Sequence, residues 1–457
     1  MSRASRVFDP SSAEPVATGA PATASVAIGG FSSRAPTSFE PGLALKRNFA
    51  WAFVGNAVYS ASQFAIVVAI ARLGSPELLG KYSLALALTA PAFMLTNLNL
   101  SAVLAADARS RYAFSDYLGL RLVASLIAVA TANACAAAAG YPVSTVCVVV
   151  PISLAKFIEA VEDIAYGLMQ KNERMDLATR SMIANSVLSL AGIAVALILT
   201  GSLVTAMLSL AAVRVAVLSC YDLRVARGWA AVRPRFRRAT LRALVWTAGP
   251  LGAVAGLNSL GQQLPRIFIE RFYGDRELGL FSAVAALGLI HRNFTTALSR
   301  SALPRLARLW TQGSAHGFRM LLLSLVGAGA FVGAGGVAVA ALLGEPLLRA
   351  MYGPEYASQK SVLALIMLAA GIAAAATFLG TAATAAQRFG SQAFVHLVKL
   401  AVIAGFARVA VPRLGALGAA WALVAGAAFS SGAYFFIALR TAPGLPPPHP
   451  RHIEHEP

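Results

Sequence analysis

Apolar residues along this chain gather into long blocks joined by short polar stretches, from Asn48 to Arg440. The blocks run roughly over 48–71, 82–105, 117–139, 143–169, 178–200, 203–222, 243–269, 278–302, 320–343, 360–386, 391–411 and 415–439. Each is long enough for the ~20 mostly apolar residues that a helix needs to cross a bilayer. The pattern predicts an all-α polytopic membrane protein of about twelve transmembrane helices, with almost no chain left for a soluble domain. Outside the blocks the pattern changes. Residues 1–44 are rich in Ala, Pro, Ser, Thr and Gly and hold no apolar run of signal-peptide length, so they read as a disordered cytoplasmic tail. Residues 441–457, which include Pro446, Pro447 and Pro448, read as a second disordered cytoplasmic tail.

The polar joints carry the orientation. Placing the N-terminus in the cytoplasm puts sixteen Lys and Arg in the cytoplasmic loops against eight in the opposite ones. The sixteen include Arg109, Arg111, Lys171, Arg174, Arg180, Arg305, Arg308, Arg319 and Arg388. Such a bias marks the cytoplasmic side, so both termini are expected there. The strongest contribution is the joint 224–242, with Arg224, Arg227, Arg233, Arg235, Arg237, Arg238 and Arg242. It divides the chain into a bundle at 45–223 and a bundle at 243–440, six spans each, with the joint as a basic linker. A short repeat agrees. Gly74, Glu77, Gly80, Tyr82 and Ser83 follow the first span, and Gly274, Glu277, Gly279, Phe281 and Ser282 follow the seventh at an offset of 200 slipping to 199. Two parallel six-helix halves related by an axis along the membrane normal form a common transporter architecture, with the substrate site between the halves.

Composition narrows the class. Hydrophobic residues make up 58% and charged residues 12%, where a soluble domain carries about 25% charged residues. The net charge of +19 sits mostly in loops between spans, so it is a topology signal and not a nucleic-acid footprint. Cys135, Cys147 and Cys220 have no metal-binding spacing. Cys135 and Cys147 lie near one membrane surface, where small buried apolar residues and a disulfide are the alternatives.

Four motifs fall in order along the spans. Ala71-Arg72-Leu73-Gly74 leads into Glu77-Leu78-Leu79-Gly80-Lys81-Tyr82; Gln170-Lys171-Asn172-Glu173-Arg174 follows span four; Tyr352-Gly353-Pro354-Glu355-Tyr356 follows span nine; Leu414-Gly415-Ala416-Leu417-Gly418-Ala419-Ala420 opens the last span. On these residues the chain, from about Asn48 to Arg440, resembles the polysaccharide-exporter branch of the multidrug/oligosaccharidyl-lipid/polysaccharide (MOP) superfamily, which contains the Wzx-type O-antigen flippases. The resemblance implies a V-shaped, MATE-like pair of six-helix bundles working by alternating access in the bacterial inner membrane. It implies a cargo of oligosaccharide on undecaprenyl pyrophosphate, moved to the periplasmic leaflet for O-antigen, capsule or exopolysaccharide synthesis. It also implies coupling to a H+ or Na+ gradient, no bound cofactor, and a polysaccharide polymerase working beside the carrier. One departure is that Pro265, where members often carry an acid, precedes Arg266.

Charged residues within spans are costly, so they face a cavity or pair with each other. The mid-span cations are Lys156, Arg214, Arg266, Arg292 and Lys399, drawn from both halves. A lumen lined by them would hold a multiply anionic pyrophosphate, which Arg binds bidentately. Arg214 and Arg292 have no acid within one turn of their own helix, which favours a lumen position. Arg266 and Arg121 lie nearer span ends, where snorkelling to the interface is the alternative. The mid-span acids Glu159, Glu162 and Asp163 all fall in span four. Lys156, Glu159 and Asp163 share a helical face, either as a structural ion pair with Lys156 or as a cation-coupling site. Glu162 points about 100° away from Asp163; cation coupling, a structural ion pair and snorkelling at the cytoplasmic end are its alternatives. Asn56, Gln63, Asn258, Gln262 and Gln263 offer sugar-facing hydrogen bonds. His291 and His396 read as polar packing residues. Gly249-Pro250 interrupts span seven, where a hinge for gating and a static kink are the alternatives.

Three functions compete: a lipid-linked oligosaccharide flippase, a MATE-like cation-coupled antiporter of small molecules, and a membrane-embedded polymerase or ligase. A carrier of cationic drugs needs acids, and here mid-span cations outnumber them. A polymerase needs a large outer loop, and the longest one, 344–358, is too short. Without a nucleotide-binding Gly-Lys-Ser/Thr loop the chain does not draw on ATP. The expectation is a carrier and not an enzyme, with membrane lipids and a lipid-linked substrate as partners and no nucleic acid.

Overall fold

The computed structural model describes residues 43–440 apart from 108, 387 and 388. The two expected tails, except for 43 and 44, and the loop residue Arg388 lie outside the described residues. Helices follow one another through short joints: α1 Leu45–Leu73, α2 Pro76–Asn97, α3 Leu100–Ala106, α4 Phe114–Ala138, α5 Val143–Lys171, α6 Met175–Thr200, α7 Leu203–Val217, α8 Leu223–Arg227, α9 Arg238–Thr311, α10 Ala315–Met351, α11 Lys360–Ala385, α12 Phe389–Leu414 and α13 Ala416–Arg440. No strand occurs among the described residues. In hydrocarbon a helix satisfies its own backbone polar groups, which is why apolar blocks of this length take that form. Large side chains on the outside, such as Phe331 and Leu342, stand 81% and 80% exposed, as lipid-facing residues do.

Among the described residues, eleven stretches are long and apolar enough to cross a membrane. One of them, α9, has 74 residues, about 110 Å of helix against a hydrocarbon core of about 30 Å. It breaks at Gly274, whose φ of 77° and ψ of −174° are not helical. Glycine adopts a positive φ without a Cβ clash. The break divides α9 into a first limb, 238–273, and a second limb, 275–311, which carry the two spans expected at 243–269 and 278–302. Span six is α7 prolonged by a π-helical turn, Leu218–Asp222, into α8. The break in α9 does not lie at the candidate hinge. Helical geometry runs on through Gly249 and Pro250, because a proline in a spanning helix forfeits one hydrogen bond without ending the helix. Cys135, Cys147 and Cys220 are all free thiols.

Successive spans reverse direction, so the joints sort to two ends. The basic end holds 107–113, 172–174, 228–237 and 312–314; the far end holds 74–75, 139–142, 201–202, Gly274, 352–359 and Gly415. At the far end the short repeat acquires a physical meaning. A Cβ on Gly80 would lie 1.9 Å from the Asp275 carbonyl oxygen, and one on Gly279 would lie 1.8 Å from that of Pro76. Arg276 donates to Glu77 at 3.0 Å across the same seam, and those two residues are 199 apart. The repeat that relates Gly80 to Gly279 exchanges the Gly80–Asp275 contact with the Gly279–Pro76 contact to within one residue, so α2 and the second limb of α9 meet reciprocally about a local two-fold axis, like an isologous dimer contact.

The far end is fastened further. Arg276 also bonds Glu355 at 2.8 Å. Arg72 donates from Nε to the Met351 carbonyl at 3.0 Å and reaches those of Arg349 and Ala350. These carbonyls lie at the C-terminus of α10, where positive charge is favoured; that of Arg349 also accepts from the Gly353 amide at 3.1 Å. Leu79, Tyr82, Leu278, Phe281, Tyr352 and Tyr356 bury one apolar core across both halves at this end. At the basic end the linker is held as a strap over α4. The Arg235 amide donates to the Ser115 carbonyl at 2.9 Å, and Ser115 Oγ donates to the Ala231 carbonyl at 2.8 Å.

Candidate functional site

A cavity of about 720 Å³ lies within this frame. Its walls come from α1, α2, α5, both limbs of α9, α11, α12 and α13. It reaches Thr384, one residue before the end of α11, and Gln392, near the start of α12, both at the basic end. The fastened contacts of the far end lie beyond its other extreme.

Of the five cations singled out from sequence, Lys156, Arg266, Arg292 and Lys399 line this cavity. Arg266 donates to Gln263 Oε1 and Arg292 to Gln262 Oε1, so each guanidinium is held by a neutral acceptor and keeps other N–H groups free. Lys399 sits on α12 two turns from Gln392. His291 and His396 line the same space. Gln63, Asn258, Gln262 and Gln263 line it as well, and none of the lining residues is Asp or Glu. The cavity therefore concentrates positive charge with no carboxylate among its described lining residues; Lys156 alone of the four cations is balanced, by Glu159 behind the wall.

Five placements differ from the sequence reading: those of Arg214, Glu162, Asn56, Asp163 and Arg121. Arg214 does not line the cavity. It is 5% exposed and pairs with Glu162 at 2.7 Å and Glu159 at 3.2 Å. The acids come from α5 and the cation from α7, so the pair crosses between helices and no same-helix search finds it. Glu162 does not snorkel: it is 2% exposed, and Asn185 Nδ2 donates to its second oxygen at 3.2 Å. Asn56 is exposed and donates back to the Ala52 carbonyl of its own helix, away from the cavity.

The other acids of α5 are also paired. Glu159 accepts from Lys156 Nζ and from Tyr59, both at 2.9 Å. Thus Lys156 stands at the cavity wall as one end of a buried string: Lys156, Glu159, Arg214, Glu162, Asn185. Asp163 does not join Lys156. It accepts from Arg121 Nη2 at 2.6 Å, and Arg121 Nη1 donates to the Asn97 carbonyl at 3.1 Å. Arg121, expected to snorkel, is 1% exposed, because α4 enters between the end of α2 and α5. Removing two charges from lipid contact by mutual pairing is the alternative to snorkelling. Sequence reasoning also passed over Tyr59 and Asp222. Asp222, at the end of the π-helical turn, is fully buried; its place near a loop gave no sign of that. Among the described residues no group of three His, Cys, Asp or Glu could hold a metal ion.

Residues 45–310 match the profile of a family described as polysaccharide biosynthesis protein. The capsular polysaccharide biosynthesis protein CapF of Staphylococcus aureus is 28% identical over 382 residues, covering 82% of this chain and 94% of that protein. The inward-facing conformation of a multidrug resistance MATE family transporter of the MOP superfamily matches with a TM-score of 0.67 at 13% identity, over 85% of this chain and 98% of the other. A MOP superfamily transporter from Pyrococcus furiosus, whose binding pocket is described as of reverse polarity and suggesting a different function, matches with a TM-score of 0.61 at 13% identity, over 86% and 94%. At such identities the structural likeness shows the fold: two six-helix bundles of the MATE type.

Proposed function

We propose that this chain, which belongs to the polysaccharide biosynthesis protein family, carries a lipid-linked oligosaccharide across the bacterial inner membrane by alternating access. The observation that carries this reading is the acid-free cationic cavity bounded by Lys156, Arg266, Arg292 and Lys399. A pyrophosphate between lipid and sugar is the group that such a cavity complements, since guanidinium groups bind phosphate oxygens through parallel charge-assisted bonds. The lipid tail stays in the bilayer while the headgroup occupies the cavity. The excess of Arg and Lys at the basic end supports placing that end, and both termini, in the cytoplasm. The cavity reaches the basic end while the far end is fastened, which suits a carrier ready to load from the cytoplasmic leaflet. A H+ or Na+ gradient drives the cycle in this reading, and a polymerase takes up the delivered repeat unit. The name of the S. aureus relative supports capsule as one destination of the glycan.

The antiporter reading is weaker here, because a cationic small molecule would meet four cations and no carboxylate along the walls. A polymerase reading lacks a platform: the far-end joint after α10 is a short 3-10 turn, Pro354–Gln359, held against the core through Tyr356.

The experiment is transport in proteoliposomes with a fluorescent, short-chain polyprenyl pyrophosphate disaccharide. The purified chain is expected to bring the probe to the opposite leaflet faster than protein-free vesicles do. Equal rates with and without protein, together with uptake of a cationic dye such as ethidium, would replace this reading with the antiporter.

A further inference from the structure

The polar groups of the cavity are sorted by depth. On the second limb of α9, Arg292 is followed one turn nearer the basic end by Thr296. On α12, Lys399 is preceded two turns nearer that end by Gln392. On α11, Thr377, Thr381 and Thr384 occupy the last turns before the basic end, and on α13 Ser430 lies beyond mid-helix in the same direction. All six line the cavity. The second limb of α9 and α12 thus share one order, a cation at mid-depth and an uncharged polar group nearer the mouth, and α11 and α13 add hydroxyls toward the mouth.

The hydroxyls share a second property. Each has a single proton to donate, and each gives it to its own helix. Thr296 donates to the Arg292 carbonyl at 2.8 Å, Thr377 to Ala373 at 2.9 Å, Thr381 to Thr377 at 2.8 Å, Thr384 to Gly380 at 3.0 Å and Ser430 to Ala427 at 3.0 Å; the Thr381 oxygen is also bonded to Ser299 Oγ and is the least open to a ligand. Gln392 Nε2 donates to Thr384 Oγ1 at 2.8 Å, which leaves its Oε1 free to accept. A hydroxyl bonded in this way offers a ligand only lone pairs. The mouth of the cavity is therefore a collar rich in acceptors, with the second Gln392 N–H as a donor among them, whereas the Lys and Arg side chains below it offer only donors.

We propose that this collar is a sugar-recognition subsite, taking O–H and N–H donors of an uncharged sugar residue while the anionic linkage rests on the cations one to two turns deeper. The inference rests on the transport reading above and adds to it a class of ligand: the sugar at the collar is a neutral polyol. A uronic acid or other carboxylate at that depth would meet mostly lone pairs, with the second Gln392 N–H and the His396 ring as the nearby donors, and a poorly paired buried charge is disfavoured. The collar also gives the cargo a direction, with the linkage inward and the glycan toward the mouth.

The test uses the purified full-length chain in nanodiscs and two probes, farnesyl pyrophosphate and farnesyl pyrophosphate bearing a neutral disaccharide. The triple variant Thr296→Val, Thr377→Val, Thr384→Val keeps the β-branched shape and removes three acceptors. It is expected to weaken binding of the glycosylated probe about tenfold or more while leaving farnesyl pyrophosphate binding unchanged. Restoring the hydroxyls with Ser at the same three positions should recover most of the loss, which a packing defect would not allow. Equal binding of the glycosylated probe by the wild-type chain and the valine variant would overturn the collar. If farnesyl pyrophosphate binding still depended on Arg266 and Arg292 in that case, the transport reading would survive without it. A wild-type chain that binds neither probe would overturn both.

Discussion

Arg214→Ala is expected to deplete the protein from the membrane, not to leave an inert carrier in place. Its guanidinium is the cation between Glu162 at 2.7 Å and Glu159 at 3.2 Å. Lys156 remains to balance Glu159, but Glu162 is 2% exposed and would keep only the Asn185 amide. Breaking a buried pair by removing one partner costs about 3–5 kcal/mol, a large fraction of the 5–15 kcal/mol by which a folded protein is typically stable. The measurement is the amount of full-length chain in the membrane and the melting temperature of the solubilised protein; both should fall. Lysine at 214 restores charge but not the two-pronged reach to both acids, so it should recover part of the loss. Arg214→Met combined with Glu162→Gln removes both charges together and should recover more. Normal abundance and melting temperature with export lost in Arg214→Ala would return Arg214 to the substrate path.

Arg266→Ala with Arg292→Ala should have the opposite signature. These side chains face the cavity, and their partners, Gln263 and Gln262, are neutral and keep other ways to be satisfied. Their loss leaves no carboxylate unpaired, so abundance and melting temperature should stay near wild type. Hydrogen bonds to charged groups contribute about 1.5–3 kcal/mol each, so export in the double variant should fall to about a tenth of wild type or below. The check is polymer output per unit of membrane-inserted protein. Lysine at both positions should keep part of the activity, because it supplies charge without the bidentate fork. Undiminished export from the double alanine variant would contradict a cationic substrate path.

The contrast between Arg214 and Arg292 shows where sequence reading stops. Both are mid-span arginines without an acid nearby on their own helix, and the pattern of apolar blocks treats them alike. They part only when helix rotation is known: α7 turns Arg214 toward α5, while the second limb of α9 turns Arg292 toward open space. Arg121 and Asp163 make the same point from the other side, since a span-end arginine snorkels unless a neighbouring helix offers it an acid. By contrast, the spans were legible because a bilayer imposes a length and a polarity on each block. The repeat around Gly80 and Gly279 was legible as a motif, and its reason, two backbones meeting at a two-fold seam, needed coordinates. The acceptor collar left no trace in the sequence. A threonine in a spanning helix looks the same whether its oxygen faces a cavity or a neighbouring helix. At Gly249-Pro250 the residues for a kink are present and helical φ/ψ runs on through them, while Gly274 is the turn between spans seven and eight that the apolar blocks already place.

The central claim is that this chain transfers a lipid-linked repeat unit between leaflets, and the most direct test is where that unit lies when the chain is missing. In a strain with the gene deleted, lipids would be extracted and identified by mass, and a glycan probe confined to the periplasm would be applied to spheroplasts. Complete repeat units on polyprenyl pyrophosphate, abundant in the extract and invisible to the probe, are the result this account predicts. Repeat units reached by the probe as readily as in the parent strain would contradict it.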